Sequence, residues 1–297
     1  MTNVPEPPSP TRPQNREELQ ADRARRSPYG GPVHREPSLE AAEAASSPRT
    51  AMSVPAVASA EPSTSRVEPA DAPPEPPVAA HALFGDRLDA ACRYAALLAD
   101  TGVAYGLIGP KEGNRVWERH LLNCAVLSEL IEPDARVLDL GSGAGLPGIP
   151  LALVRPDLEV VLLEPLARRV DWLRGVLDDL ELPVVVIRGR AEDAAIRRRW
   201  GGADVVTARA VAPLARLAGW ALPLLRPGGS LLAMKGESAH DEVIRDRAAV
   251  RGFGGSTPRV VQCGRTHVEP PTTVVIVERS GRPANLRRAR RTGGRQR

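Results

Sequence analysis

Residues Ala135–Ile149 read ARVLDLGSGAGLPGI, and this stretch decides the fold. A short apolar run, Val137–Leu140, is interrupted only by Asp139 and opens into a loop holding Gly141, Gly143 and Gly145. The LPGIPLALV that follows reads as the start of a helix. Strand, glycine loop and helix in that order predict a nucleotide-type site. Residues without a Cβ let the main chain turn sharply and lie against a ligand. The helix then aims its unpaired N–H groups and positive dipole end at the same spot.

Outward from this stretch the rhythm is strand and helix. Strands are expected at Val137–Leu140, Glu159–Glu164, Val184–Arg188, Ala203–Ala208 and Gly229–Lys235, the last preceded by an RPGG turn at Arg226–Gly229. Helices are expected after the glycine loop to about Val154, then over Arg168–Leu180, Pro213–Leu225 and Asp241–Val250. Alternating β and α units imply a parallel sheet covered on both faces. Arg259–Cys263 and Thr273–Glu278 have no helix-length segment between them and should pair antiparallel as a closing hairpin. Ahead of the first strand, Ala82–Asp100 and Val116–Ile131 show helical spacing of apolar residues. They flank a glycine-rich loop, Gly102–Gly113, and together predict a small helical cap.

The ends of the chain differ in composition from this core. Residues 1–80 hold 16 of the 30 prolines, with eleven acids, eight arginines and almost no Leu or Ile. Such a segment buries too little apolar surface to offset its ordering entropy, so 1–81 is expected to be a disordered, proline-rich arm. The opening MTNVPEPPSP lacks the apolar core of a secretory signal. Residues 279–297 carry eight arginines and no acid, and read as a disordered basic tail. The domain between them, 82–278, with its cap over 82–134 and its core over 135–278, is long enough for one α/β unit. No apolar run approaches the roughly 18 residues of a membrane span. Three scattered cysteines without CxxC spacing fit a reduced, cytoplasmic protein with no disulfide framework and no metal site, and no exposed apolar stripe argues against a monomer. His34, His81, His240 and His267 likewise show no ligand spacing. Outside the acidic arm the chain carries about +7, against +4 for the whole, so a polyanionic partner fits.

The loop supports two ligands. Gly143-Ala-Gly145-Leu-Pro-Gly148 satisfies GxGxxG, with Glu164 ending strand two roughly 20 residues on, as in a dinucleotide fingerprint. A dinucleotide-dependent oxidoreductase is therefore one reading. Against it, Asp139 sits immediately before the glycines, a poor place for a carboxylate beside a pyrophosphate. A further acid, Glu192, follows strand three, and the hairpin at the end does not make a second nucleotide-binding half. Acids at the ends of three strands suit S-adenosylmethionine instead, which has a sulfonium, an amino group, a ribose and an adenine but no phosphate. Glu164 would then accept from ribose hydroxyls, Glu192 or its neighbours would meet adenine, and Asp139 would organise the loop.

A family resemblance adds to this reading. DLGSGAGLPGIPLALVRPD (139–157), followed by LLE (162–164), RAED (190–193), ARAVAPL (208–214) and LLAMKG (231–236), resembles the small-subunit ribosomal RNA guanine-N7 methyltransferases, the RsmG or GidB family. GLIGPKEGNRVWERHLLNC (106–124) is similar to that family's segment ahead of strand one. The resemblance covers roughly Ala82–Glu278, and the arm and tail lie outside it. It implies a class I S-adenosylmethionine-dependent fold, Rossmann-like with an antiparallel hairpin, acting on 16S ribosomal RNA or the small subunit rather than on DNA or a membrane. By similarity, cofactor contacts fall on Gly141, Leu146, Ala191, Glu192 and Arg209. Class I methyltransferases with another acceptor share all but the family-specific boxes.

The residues agree with that chemistry taken alone. Guanine N7 carries an in-plane lone pair and no proton, so its methylation needs alignment rather than a general base. The chain has no Asn-Pro-Pro-Tyr or Asp-Pro-Pro-Tyr box for an exocyclic amine and no Pro-Cys or Thr-Cys nucleophile. Cationic and polar candidates for the site mouth are Arg115, His120, Asn123, Arg209 and Lys235. Arg or Lys would address phosphates and acceptors such as guanine O6. For His120, Arg115 and Asn123 a purely structural role fits as well, and Trp117, at helical spacing, reads as core. The arginine tail would add affinity for RNA through counterion release. Deleting Leu286–Arg297 is therefore expected to weaken RNA binding most at low salt and to leave cofactor affinity alone; filter binding across a salt series would show the log–log slope flatten.

Overall fold

A computed structural model describes residues 75–281. The chain divides into two units, Met1–Thr64 and Ser65–Arg297, and every described residue belongs to the second. Most of the expected arm and nearly all of the expected tail therefore lie outside the described residues.

Seven strands among the described residues form one sheet: β1 (Arg136–Leu140), β2 (Glu159–Glu164), β3 (Val185–Arg188), β4 (Ala203–Arg209), β5 (Leu225–Met234), β6 (Arg259–Cys263) and β7 (Thr272–Glu278). Their order is β3-β2-β1-β4-β5-β7-β6. The first five are mutually parallel, and β7 runs antiparallel to both β5 and β6. The cause lies in the connections: helical crossovers link the parallel strands, whereas only residues 264–271 separate β6 from β7. In β1 and β2, Val137, Leu138, Leu140 and Val160–Leu163 are all buried, as strands covered on both faces require.

The helices are α1 (Val78–Phe84), α2 (Leu88–Leu97), α3 (Asn123–Ala125), α4 (Gly148–Val154), α5 (Ala167–Asp179), α6 (Ala194–Trp200), α7 (Leu214–Ala221) and α8 (Ala239–Gly252). The cap expected ahead of β1 is present but is not two plain helices. The first begins at Val78 and is broken by Gly85, whose φ of +47° departs from helical geometry, before resuming as α2. The second, 117–130, is π-wound over Trp117–Leu122 and tightens to 3₁₀ over Val126–Leu130, with α3 between. Trp117 is buried and meets Phe84 edge-on with ring centroids 6.1 Å apart. It is core.

Two further departures have local causes. Helix α6 was hidden in AAIRRRW because it buries only Trp200 and half-buries Ile196 beside three arginines, too few apolar positions to show a period. The expected RPGG turn lies inside β5: Ala203 pairs with Leu225 and Val205 with Ser230, so Arg226–Gly229 form an irregularity in a continuous pair. Gly229 lies against the carbonyls of Ala203 and Asp204, where a Cβ would clash. Among the described residues no helix is long and apolar enough to cross a membrane.

Cap and sheet are joined where α4 hands over to β2. Arg155 donates to the carbonyls of Ser128, Ile131 and Glu132 at the end of the cap and grips Asp157 with two bonds of 2.7 and 2.6 Å. These bonds bring the Asp157 carboxyl down to about 2. A folded value below the unfolded 3.8 means that the stabilisation is complete above the latter and is lost as pH falls through about 2. Asp157→Asn should cost on the order of 1 kcal/mol at pH 7, and the difference in Tm from the parent should shrink as melts are taken from pH 4 toward pH 2.

Candidate active site

The strand order reverses between β1 and β4, so their connections leave in opposite directions and open a crevice at the carboxyl ends of the strands, where ligands of open α/β sheets bind. Register brings the sequence motifs to this one edge. Leu140 lies beside Leu163, Glu164 beside Arg188, and Arg209 beside Met234.

Each glycine of the loop has a positive φ: +69° at Gly141, +56° at Gly143 and +85° at Gly145. At Gly145 a Cβ would strike Ile149, and at Gly148 it would strike Leu162 and Asp139, so these two glycines let α4 seat against the sheet. Gly143 differs. A Cβ there would meet only the Gly141 carbonyl at 3.8 Å and the Arg169 guanidinium at 4.0 Å, ordinary contact distances, so no neighbouring element presses on that side of the main chain. The loop is held from the cap by Tyr94, fully buried, whose hydroxyl donates to the Ala144 carbonyl at 2.6 Å.

The acids divide into two roles. Asp139 is fully buried: Oδ1 accepts from Thr207 Oγ1 at 3.0 Å and Oδ2 from the Gly148 N–H at 3.2 Å. Burial pushes its carboxyl up to about 6, against the pull of those bonds. Asp139 thus organises the loop from beneath, as its place in the sequence suggested, with each oxygen accepting from the protein. Glu164 closes β2, accepting from the Gly143 N–H at 3.0 Å and the Leu166 N–H at 3.1 Å, with Arg169 4.0 Å away. At the end of β3, Ala191 is buried with its carbonyl taken by Arg197 at 2.8 Å, and Glu192 is exposed. Leu146 is buried in the loop.

Among the cations, Arg209 ends β4 half-buried. Its Nη2 lies 2.6 Å from His120 Nδ1, and Nη1 donates to Cys124 Sγ at 3.3 Å. Ala210, next along, has a φ of +55°, a strained setting for an alanine, and Val211 packs on Gly141. The other three candidates are placed differently. Lys235 donates to the Ala212 carbonyl and to Glu242, both at 2.8 Å, so it clamps the turn after β4 to α8. Asn123 accepts from the Thr272 hydroxyl at 2.7 Å and ties the cap to β7. Arg115 is exposed, 3.8 Å from Glu118. Lys235 and Asn123 thus each brace a neighbouring element through a hydrogen bond.

The chain is similar to known proteins over most of the described domain. A family model described as rRNA small subunit methyltransferase G matches residues 87–269. The chain belongs to this family. It is 53% identical over 218 residues to the ribosomal RNA small subunit methyltransferase G of Mycobacterium marinum, covering 73% of this chain and 96% of that one. The Salinispora arenicola protein of the same name is 54% identical over 236 residues, covering 75% and 95%. Among solved structures, Aeropyrum pernix fibrillarin with bound S-adenosyl-L-methionine aligns over 54% of this chain and 74% of its own at 22% identity, TM-score 0.42.

As a member of this methyltransferase family the chain uses S-adenosylmethionine, and the dinucleotide reading falls. The residues fit such a group: an open main-chain face at Gly143 beside a buried carboxylate, Glu164, suits a ligand rich in hydroxyl and amino donors. Sequence reasoning missed Tyr94, Thr207 and the pairing of Arg209 with His120. Thr207 had a signal, since a lone hydroxyl in an otherwise apolar buried strand needs a partner. His120, 3% exposed, is brought down to about 4 by burial and by Arg209. With the folded value below the unfolded 6.5, its contribution is full above pH 6.5 and declines as pH falls toward 4. Replacing His120 by Phe should flatten that part of the stability–pH profile, read by urea melts at pH 7, 5.5 and 4.5.

Proposed function

We propose that the protein transfers a methyl group to N7 of a guanosine in 16S ribosomal RNA, free or within the small subunit, as a cytoplasmic monomer whose catalytic domain runs from α1, four residues earlier than the sequence suggested, over 78–278. The carrying observation is a cation without a free base. At the crevice Arg209 is presented from β4, while His120 Nδ1 is occupied by that guanidinium and Asp139 is committed to Thr207 and Gly148. An acceptor that must lose a proton would be poorly served here, whereas guanine N7 has none to lose.

S-adenosylmethionine, when bound, supplies an electrophilic methyl group on a sulfonium. Glu164 would hold the ribose through its carboxylate. Ala191 and Glu192, at the end of β3, would meet the adenine. Gly141, Gly143, Gly145 and Leu146 would carry the main-chain surface on which the remainder lies. Arg209 would approach guanine O6 or a phosphate and orient the base, with its cationic charge unavailable for deprotonation. Arg115, exposed on the cap, would add a phosphate contact.

The test is label transfer from methyl-tritiated S-adenosylmethionine to small-subunit RNA or particles lacking the modification, followed by digestion to nucleosides. Label in 7-methylguanosine is the expected result; label in another nucleoside would discard the N7 assignment. Gly143→Asp, which adds a side chain to the loop at a φ of +56° without a close clash, should lower S-adenosylmethionine affinity by at least about 100-fold in calorimetry, with circular dichroism and the melting temperature checking that the domain stays folded.

A further inference from the structure

His120 is a buried imidazole on the cap side of the crevice, 3% exposed, and its contacts reach β4 on one side and the cap loop on the other. On one side Arg209, at the end of β4, has its Nη2 2.6 Å from Nδ1. A guanidinium only donates, so Nδ1 must be an acceptor and the imidazole neutral, with its proton on Nε2. On the other side Nε2 has no hydrogen-bond partner and points toward Glu112 Oε2, 3.6 Å away. Glu112 is anchored in turn by the Gly109 N–H at 2.8 Å, with the Arg119 guanidinium 3.6 Å from its other oxygen. His120 itself lies in the π-wound turn Trp117–Leu122, a local irregularity that recurs at functional positions.

We propose that His120 is a positioning residue for methyl transfer: its Nδ1 lone pair holds the Arg209 guanidinium at the crevice, and the Glu112 carboxylate of the cap loop, 3.6 Å from Nε2, favours electrostatically the tautomer that exposes that lone pair. The inference rests on the methyl-transfer role proposed for this edge and adds the residues that aim its cation. Among the described residues, the other hydrogen-bond acceptor that holds the long Arg209 side chain is a weak one, the Cys124 sulfur. Without the imidazole the guanidinium keeps its charge but loses its direction. Loss of direction is costly when alignment is the main source of rate.

Two variants separate this from a purely structural role. His120→Asn would be ambiguous alone, so it is paired with His120→Phe: the amide carbonyl of the first can stand where Nδ1 stands, and the phenyl ring of the second keeps the volume but offers no acceptor. His120→Phe should lower kcat for RNA methylation by on the order of 10- to 100-fold with S-adenosylmethionine affinity within about twofold, and His120→Asn should restore most of that loss. Equal activity of both variants and the parent, or equal loss in both, overturns the proposal. A second readout needs no activity. In the full-length, cofactor-free protein with ¹⁵N-labelled imidazoles, the signal lost in His120→Phe should show a bare Nδ1 and a protonated Nε2 at neutral pH. Arg209→Met should move that Nδ1 resonance and raise the pH at which the ring protonates; an unmoved signal overturns the contact. If the parent protein fails to label RNA while the imidazole signature holds, the proposed reaction fails and the Arg209–His120 geometry stands.

Discussion

One buried carboxylate holds the site together. Asp139 sits on β1 at the point where the strand order reverses, and its two oxygens reach α4 through Gly148 and β4 through Thr207. Removing a carboxylate from water is expensive unless its oxygens find donors. Here both do, and the donors belong to the two elements that flank the crevice. Thr207 also sits opposite Asp139 in the β1–β4 register, so the same contact locks strand pairing and loop shape. The close seat of α4 that brings Gly148 into range is open only to glycine, because a Cβ would run into Leu162 and into Asp139 itself.

Above this base, the exposed face of the loop is left for ligand. Gly143 gives its N–H to Glu164, which joins the ends of β1 and β2 into one rim, and keeps its other side clear of protein. Tyr94 fixes the loop from the cap through the Ala144 carbonyl, so the cap is part of the cofactor site rather than an appendage. Shape at the rim is thus set before any ligand arrives, which reduces the ordering cost of binding.

The opposite flank is braced rather than open. Lys235 and Glu242 hold the turn after β4, Asn123 and Thr272 hold the cap to β7, and Glu129 receives the Gly264 N–H at 3.0 Å. These ties fix the elements beside β4, whose end carries Arg209 and the strained Ala210. A rigid surround is what allows a long cationic side chain to act as an oriented group instead of a diffuse charge. Burial pushes the Cys263 thiol up to about 12 and holds Cys124 above the ordinary thiol range, so both are thiols at neutral pH.

The sequence by itself determined the architecture and the cofactor edge. Glycine spacing after an apolar run, acids at strand ends and the boxes around 117–123 and 208–214 are local signals, carried by residues close together in the chain. The strands, the closing hairpin and the placement of Gly143 and Glu164 at one edge were legible for that reason. What only the tertiary structure decided were partnerships across long separations. How Asp139 organises the loop depends on Thr207, 68 residues away, which claims one oxygen. Lys235 and Asn123 became braces because Glu242 and Thr272 reach them, and Arg209 gained a director in His120, 89 residues earlier. Charge and polarity are written in each residue, but whether a polar group is spent on the protein or left for a ligand depends on which elements the sheet topology packs beside it.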